Sequence, residues 1–83
     1  MYVGVIHRIS DPEAFEQAEE KALESGLPGG IRLPVSASTP DHRTAICIWE
    51  GPSVDAVRDL VESVVGPYSR NEYHEVKLES AEL

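Results

Sequence analysis

The chain has 83 residues, one cysteine, and 15 acidic against 7 basic side chains, for a net charge of −8. A single domain of this length buries only about 60% of the surface its unfolded form exposes, so association with a second copy is the most available source of further burial. The lone Cys47 excludes an internal disulfide, the histidines at 7, 42 and 74 are too scattered for a zinc-ligand spacing, and the acidic balance argues against a nucleic-acid backbone as partner.

Tyr2 to Ile9, YVGVIHRI, is short and rich in β-branched residues and predicts the first strand. In SDPEAF, Asp11 caps a helix with Pro12 at its first position, where the missing N–H costs nothing. Ser10 with Glu13 is a competing capping box that would start the helix one residue earlier. The helix PEAFEQAEEKALES sets Phe15, Ala18 and Ala22 on one stripe with Leu23 beside it, and Gly26 and Pro28 end it. Ile31, Leu33 and Val35 alternate in a second strand that Pro34, unable to donate to a ladder, confines to a sheet edge. Thr39-Pro40-Asp41 marks a hairpin turn, with His42 a solvated loop residue, before a third strand from Thr44 to Glu50. Ser53 caps a second helix, VDAVRDLVESVV, whose valines and Leu60 recur at helical spacing up to the Gly66-Pro67 stop. After YSRN, a fourth strand is expected over EYHEVKL, with residues 78–83 a frayed tail.

The order β-α-β-β-α-β with right-handed crossovers gives an α+β, ferredoxin-like fold, a four-stranded antiparallel sheet with both helices on one face. Strands one and three are central and strands two and four are edges. No basic leader precedes an apolar core in MYVGVIHRIS, and the longest apolar runs fall far short of the ~20 residues of a membrane span. The chain is therefore expected to lack a signal peptide, to have no membrane partner and to be cytoplasmic, with Cys47 reduced.

Ala45, Ile46, Cys47, Ile48 and Trp49 follow one another without a polar residue, which asks for cover on both faces of the strand. Alternation sends Val3, Val5, His7, Ile9, Ile31, Leu33, Val35, Ala45, Cys47, Trp49, His74, Val76 and Leu78 toward the helices. The opposite set includes Tyr2, Ile6, Arg8, Ser36, Ile46, Ile48, Glu50 and Tyr73. Leaving its isoleucines and tyrosines in water forfeits about 5–10 kcal/mol of burial, comparable to the stability of a small domain, so a twin laid over this face is expected.

The stretches MYVGVIHRISDPEAF, AICIWEGPSVDAVRDLV and SRNEYHEV resemble small stand-alone bacterial and archaeal proteins of the dimeric α+β barrel superfamily. The resemblance spans nearly the whole chain and implies a homodimer. It implies no single chemistry: relatives include cofactor-free quinol monooxygenases, haem-degrading enzymes, lactone isomerases, dehydratases and a nickel-binding protein.

His7 and His74, placed on the helix-facing side, are the candidates for a proton-transferring base. With Cys47 on the third strand, also adjacent to strand one, they form a weak candidate metal set. The competing reading makes each histidine a hydrogen-bonded core or rim residue and Cys47 an inert thiol. Tyr2, Arg8, Glu50 and Tyr73 ring the second face as a small-molecule pocket, or Arg8 and Glu50 simply pair at its edge. Trp49 reads first as core. With the faces assigned the other way, His7, Trp49 and His74 would line the cavity under the twin. Arg70 and Asn71 read as pre-strand residues, Asn71 suited to a left-handed turn and Arg70 to clamping the twin. No phosphate-binding glycine loop, nucleophile elbow or cofactor motif is present, since GLPGGI leads into a strand. The expected function is a homodimer binding a small apolar or aromatic molecule in the sheet-lined cavity, any catalysis being cofactor-free monooxygenase or isomerase-type chemistry. The alternative is a non-catalytic module that binds metal, senses a ligand or serves as a structural dimer.

Overall fold

A computed structural model describes residues 1–80. Its elements are β1 (Tyr2–Ile9), α1 (Pro12–Ser25), β2 (Arg32–Ser38), β3 (Thr44–Glu50), α2 (Val54–Val65), a 3-10 turn (Gly66–Tyr68) and β4 (Ser69–Val76). The strands form one antiparallel sheet in the order β2-β3-β1-β4, so the ferredoxin-like α+β fold and its two central strands are as the sequence predicts. Among the described residues no helix is long and apolar enough to cross a membrane.

Local chemistry sets the helix ends. Asp11 Oδ1 accepts from the Ala14 amide at 3.1 Å, and Ser53 Oγ accepts from the Ala56 amide at 3.0 Å, each relieving one of the orphan donors of a first turn. The competing capping box does not form. Ser10 instead gives its hydroxyl to the Tyr68 carbonyl at 3.0 Å, tying the end of β1 to the turn before β4.

Both helices pack on one side of the sheet. Val3, Val5 and Ile9 of β1 and Ala45, Cys47 and Trp49 of β3 are buried there with Val57, Val61 and Val65 of α2. The registers Val3↔Trp49 and Val5↔Cys47 align these residues across the central pair, and a solvated second face alternates with them. α1 is held more lightly: Phe15 alone of its residues is buried, Ala18 and Ala22 are half-buried, and Leu23 is exposed.

The edge strands depart from the expected alternation. β4 starts at Ser69 rather than Glu72, and its pairing Val5↔Tyr73 and His7↔Asn71 turns Ser69, Asn71 and Tyr73 toward the helices. Glu72, His74 and Val76 therefore take the open face, the reverse of the assignment from sequence. A one-residue shift inverts a whole strand, and here the unambiguous pattern of β1 fixes the shift. In β2 the register is irregular between Arg32 and Val35, across Pro34. Ile31 is buried and Leu33 packs against the core, but Val35 then opposes Ile48 on the open face and Ser36 opposes Cys47 on the helix side. Proline has no N–H to continue the ladder, so a bulge at an edge accommodates it.

Asn71 is extended within β4, and the one non-glycine residue with positive φ among the described residues is His42, at 59° in the hairpin loop. Residues 77–80 have no regular structure, Leu78 is exposed rather than in a strand, and the rest of the expected tail, residues 81–83, lies outside the described residues.

Candidate functional site

His7 points into the helix-side core from the middle of β1 and is 1% exposed. A buried imidazole needs a partner, and the neighbouring strand supplies one: Asn71 Oδ1 lies 2.6 Å from His7 Nδ1. Ser69 Oγ donates to the same amide oxygen at 2.8 Å, and Asn71 Nδ2 donates to Glu62 Oε2, on α2, at 2.8 Å. The Tyr73 hydroxyl donates a short hydrogen bond to that same carboxylate oxygen. Glu62, Tyr73, Asn71, Ser69 and His7 thus form one connected polar network joining α2, β4 and β1.

Its electrostatics are consistent from partner to partner. Hydrogen bonds from Tyr73 and Asn71 hold the Glu62 carboxyl below its ordinary range, so it is a carboxylate and acceptor. Burial, then the bond to Glu62, pushes the Tyr73 hydroxyl well up, so it stays a donor. Burial lowers the His7 pKa against the raising effects of Asn71 and Glu62, so its imidazole is neutral at pH 7.

A narrow crevice runs beside this network between the sheet and both helices. It is lined by His7 and Trp49 from the sheet, Leu60, Val61, Val64 and Val65 of α2, and Glu19, Ala22, Leu23 and Leu27 on and after α1. Its room for a water-sized sphere is about 10 Å³, enough for one water. His7 Nε2 and Trp49 Nε1 are both buried without a hydrogen-bonding partner in the protein. Burial, reinforced by neighbouring Glu16, raises the pKa of Glu19 at the crevice wall. Apart from Glu19 the rest of the lining is apolar, and each of the two ring nitrogens is a polar atom left to be met.

The other sequence candidates separate. His74 is exposed on the open face with Nε2 2.7 Å from Glu72, across the sheet from His7, so the two do not act together. Cys47 is on the His7 side, buried, with Sγ 3.7 Å from Ser36 Oγ and its thiol pushed up to about 11 by burial, which makes it unreactive. The proposed His7–Cys47–His74 set is therefore split between faces, and among the described residues no group of three His, Cys, Asp or Glu converges as metal ligands. Trp49 is core, as its alternation predicts.

Tyr2, Arg8 and Glu50 do share the open face, but Tyr73 belongs to the helix side, so the expected ring is incomplete. Arg8 does not pair with Glu50 either. Arg8 opposes Arg70 at one end of β1, while Glu50, opposite Tyr2 at the other end, binds Arg32 at 2.9 Å. Between these ends lie Ile6, Ile48, Val35 and Ile46, the last two 47% and 57% exposed.

Asn71 and Glu62 are the functional residues that sequence reasoning missed. Asn71 stands in a string of turn-forming residues, and Glu62 is one acid among many on a helix. The signal that could have found Asn71 is His7 itself, because a polar ring at the centre of a buried strand requires a polar neighbour on an adjacent one. Neither a family model, nor a curated protein, nor a solved structure matches this chain.

Proposed function

We propose that the protein is a homodimer joined across its open sheet face, each copy holding a small, mainly apolar molecule with one hydroxyl-type group in the crevice between His7 and Trp49. The observation that carries this reading is the pair of buried, unpartnered ring nitrogens on residues lining one apolar slot. Each such atom left unmet costs about 1–3 kcal/mol, and a hydroxyl that donates to His7 Nε2 relieves one of them. A molecule larger than water enters by displacing Leu23 and Leu27, at the lightly packed end of α1. If a reaction follows binding, His7 is the proton acceptor, because its imidazole is neutral and beside the bound group.

The joining of two copies is supported by Ile46, Val35, Ile48 and Ile6 on the open face, an apolar patch between charged ends. Arg8 and Arg70 stand directly opposite one another with Glu72 of the same copy near Arg8, so one acid answers two bases, and this strongly acidic chain has more to offer from a second copy.

The small size of the crevice favours one other reading: a single structural water sits against His7, and the protein is a non-catalytic dimer. Titration with cyclohexanol and cyclohexanone, followed by the fluorescence of Trp49 and by NMR, separates the two. Binding of a hydroxylated molecule predicts a saturable response to cyclohexanol, weaker for the ketone, and weakened about tenfold in His7→Leu. No saturable response to either probe at millimolar concentration leaves the structural water.

A further inference from the structure

The network around His7 contains a chain of one-way hydrogen bonds. An ionised carboxylate can only accept, so Glu62 Oε2 must receive N–H from Asn71 Nδ2 and O–H from Tyr73. That contact fixes which end of the Asn71 amide is which: its NH₂ faces α2 and its oxygen faces β1. The amide oxygen also only accepts, taking the Ser69 hydroxyl at 2.8 Å and facing His7 Nδ1 at 2.6 Å. At that distance Nδ1 must carry the hydrogen. A neutral imidazole has one such hydrogen, so Nε2 carries a bare lone pair.

We infer that Glu62 and Asn71 are positioning residues that lock His7 in the Nδ1–H tautomer and so present the crevice with a hydrogen-bond acceptor at Nε2. This tautomer is the less populated one for a free histidine in water, so the protein has to impose it. Glu62 achieves this from the surface of α2, two hydrogen bonds from the nitrogen it controls. The consequence for recognition, which rests on the reading of the crevice as a ligand site, concerns substrate class. With Nε2 accepting, the slot takes a group that brings a hydrogen to it, an alcohol or enol. It rejects ketones, ethers and carboxylates, which bring no hydrogen to Nε2.

The test is made on the full-length, ligand-free protein labelled with ¹⁵N-histidine, by long-range ¹H–¹⁵N correlation at about pH 7.5, above the ordinary histidine pKa. The wild type is expected to show His7 with a protonated Nδ1 and a bare Nε2. Asn71→Leu, which removes the acceptor, should move His7 to the Nε2–H form. Glu62→Ala, which frees the Asn71 amide to turn over, should give a mixture. An Nε2–H signature in the wild type, or an unchanged Nδ1–H signature in Glu62→Ala, overturns the assignment. Glu62 is exposed, so that variant carries the test even where Asn71→Leu fails to fold. A protein that binds no cyclohexanol yet shows this signature has lost its ligand reading and kept its tautomer lock.

Discussion

Burial holds the imidazole of His7 below its ordinary pKa, while the Asn71 side chain and the charge of Glu62 pull the other way. The groups facing it from the packed elements are Asn71 and Tyr73 on β4, Glu62 on α2, and Glu19 and Phe15 on α1, the Phe15 ring in edge-on contact at 5.2 Å. Because the folded pKa is the lower one, the unfolded chain takes up a proton first as pH falls. The stabilising contribution of neutral His7 is therefore fully present above the unfolded value of about 6.5 and is lost as pH drops through and below it. Urea melts should show stability declining from pH 7.5 to 5.5, before the carboxylates near 4–4.5 titrate, and His7→Gln should flatten that decline. Glu19, whose pKa burial raises, contributes in the opposite sense, so a difference between wild type and His7→Gln that is level or rising across this window would mean that the ring is charged in the folded state. The polar character of His7 on an apolar strand face was legible in the sequence. Its partner was not, because an asparagine after Ser-Arg reads as a turn until the β1–β4 register is known.

At the scale of elements, both helices and both central strands follow from local patterns and caps, while the two edge strands do not. β1 and β3 alternate unambiguously because the helices bury one complete face of each. β2 and β4 have one neighbour apiece, and each carries polar residues on its inner side: Ser36 under Cys47, and Ser69 with Asn71 in the His7 network. A reading that sends every apolar residue inward therefore misplaces Val35 and Val76, and through the alternation of β4 also His74 and Tyr73. Between elements, Gly51 is the tightest joint. Its amide donates to the Met1 carbonyl at 2.9 Å, and a Cβ there would lie 2.8 Å from Val57 Cγ2 in the core. Gly51→Ala should destabilise the protein by about 1–3 kcal/mol through overpacking. In calorimetry that means a Tm lowered by at least about 4 °C. Gly29→Ala, where a Cβ meets nothing within 4 Å, should leave Tm nearly unchanged.

For the whole molecule the open face is the decisive surface. Ile46 sits at its middle on β3, opposite Ile6 and Ala37, and is the most exposed of the large apolar side chains named on the sheet. A homodimer joined there should be weakened by Ile46→Glu, which replaces about 1–2 kcal/mol of burial per copy, Ile46 being 57% exposed in one copy, with a charge to be desolvated. Sedimentation velocity at micromolar concentration should find dimer for the wild type and monomer for the variant, with the fold retained by circular dichroism. A wild-type monomer at that dilution would remove the dimer from the proposal, and the His7 crevice, contained within one copy, would remain.

Sequence alone determined the number and order of elements and the central pair of strands, and placed His7 and Trp49 together on one face of the sheet. Each of these rests on periodicity or on the chemistry of one or two adjacent residues. Only the tertiary structure decided which way the edge strands face, that His7 and His74 lie on opposite sides of the sheet, and that Glu62 reaches His7 through Asn71. Those outcomes depend on strand register, set by pairing between residues some 64 positions apart in the case of His7 and Asn71, and no local pattern encodes it.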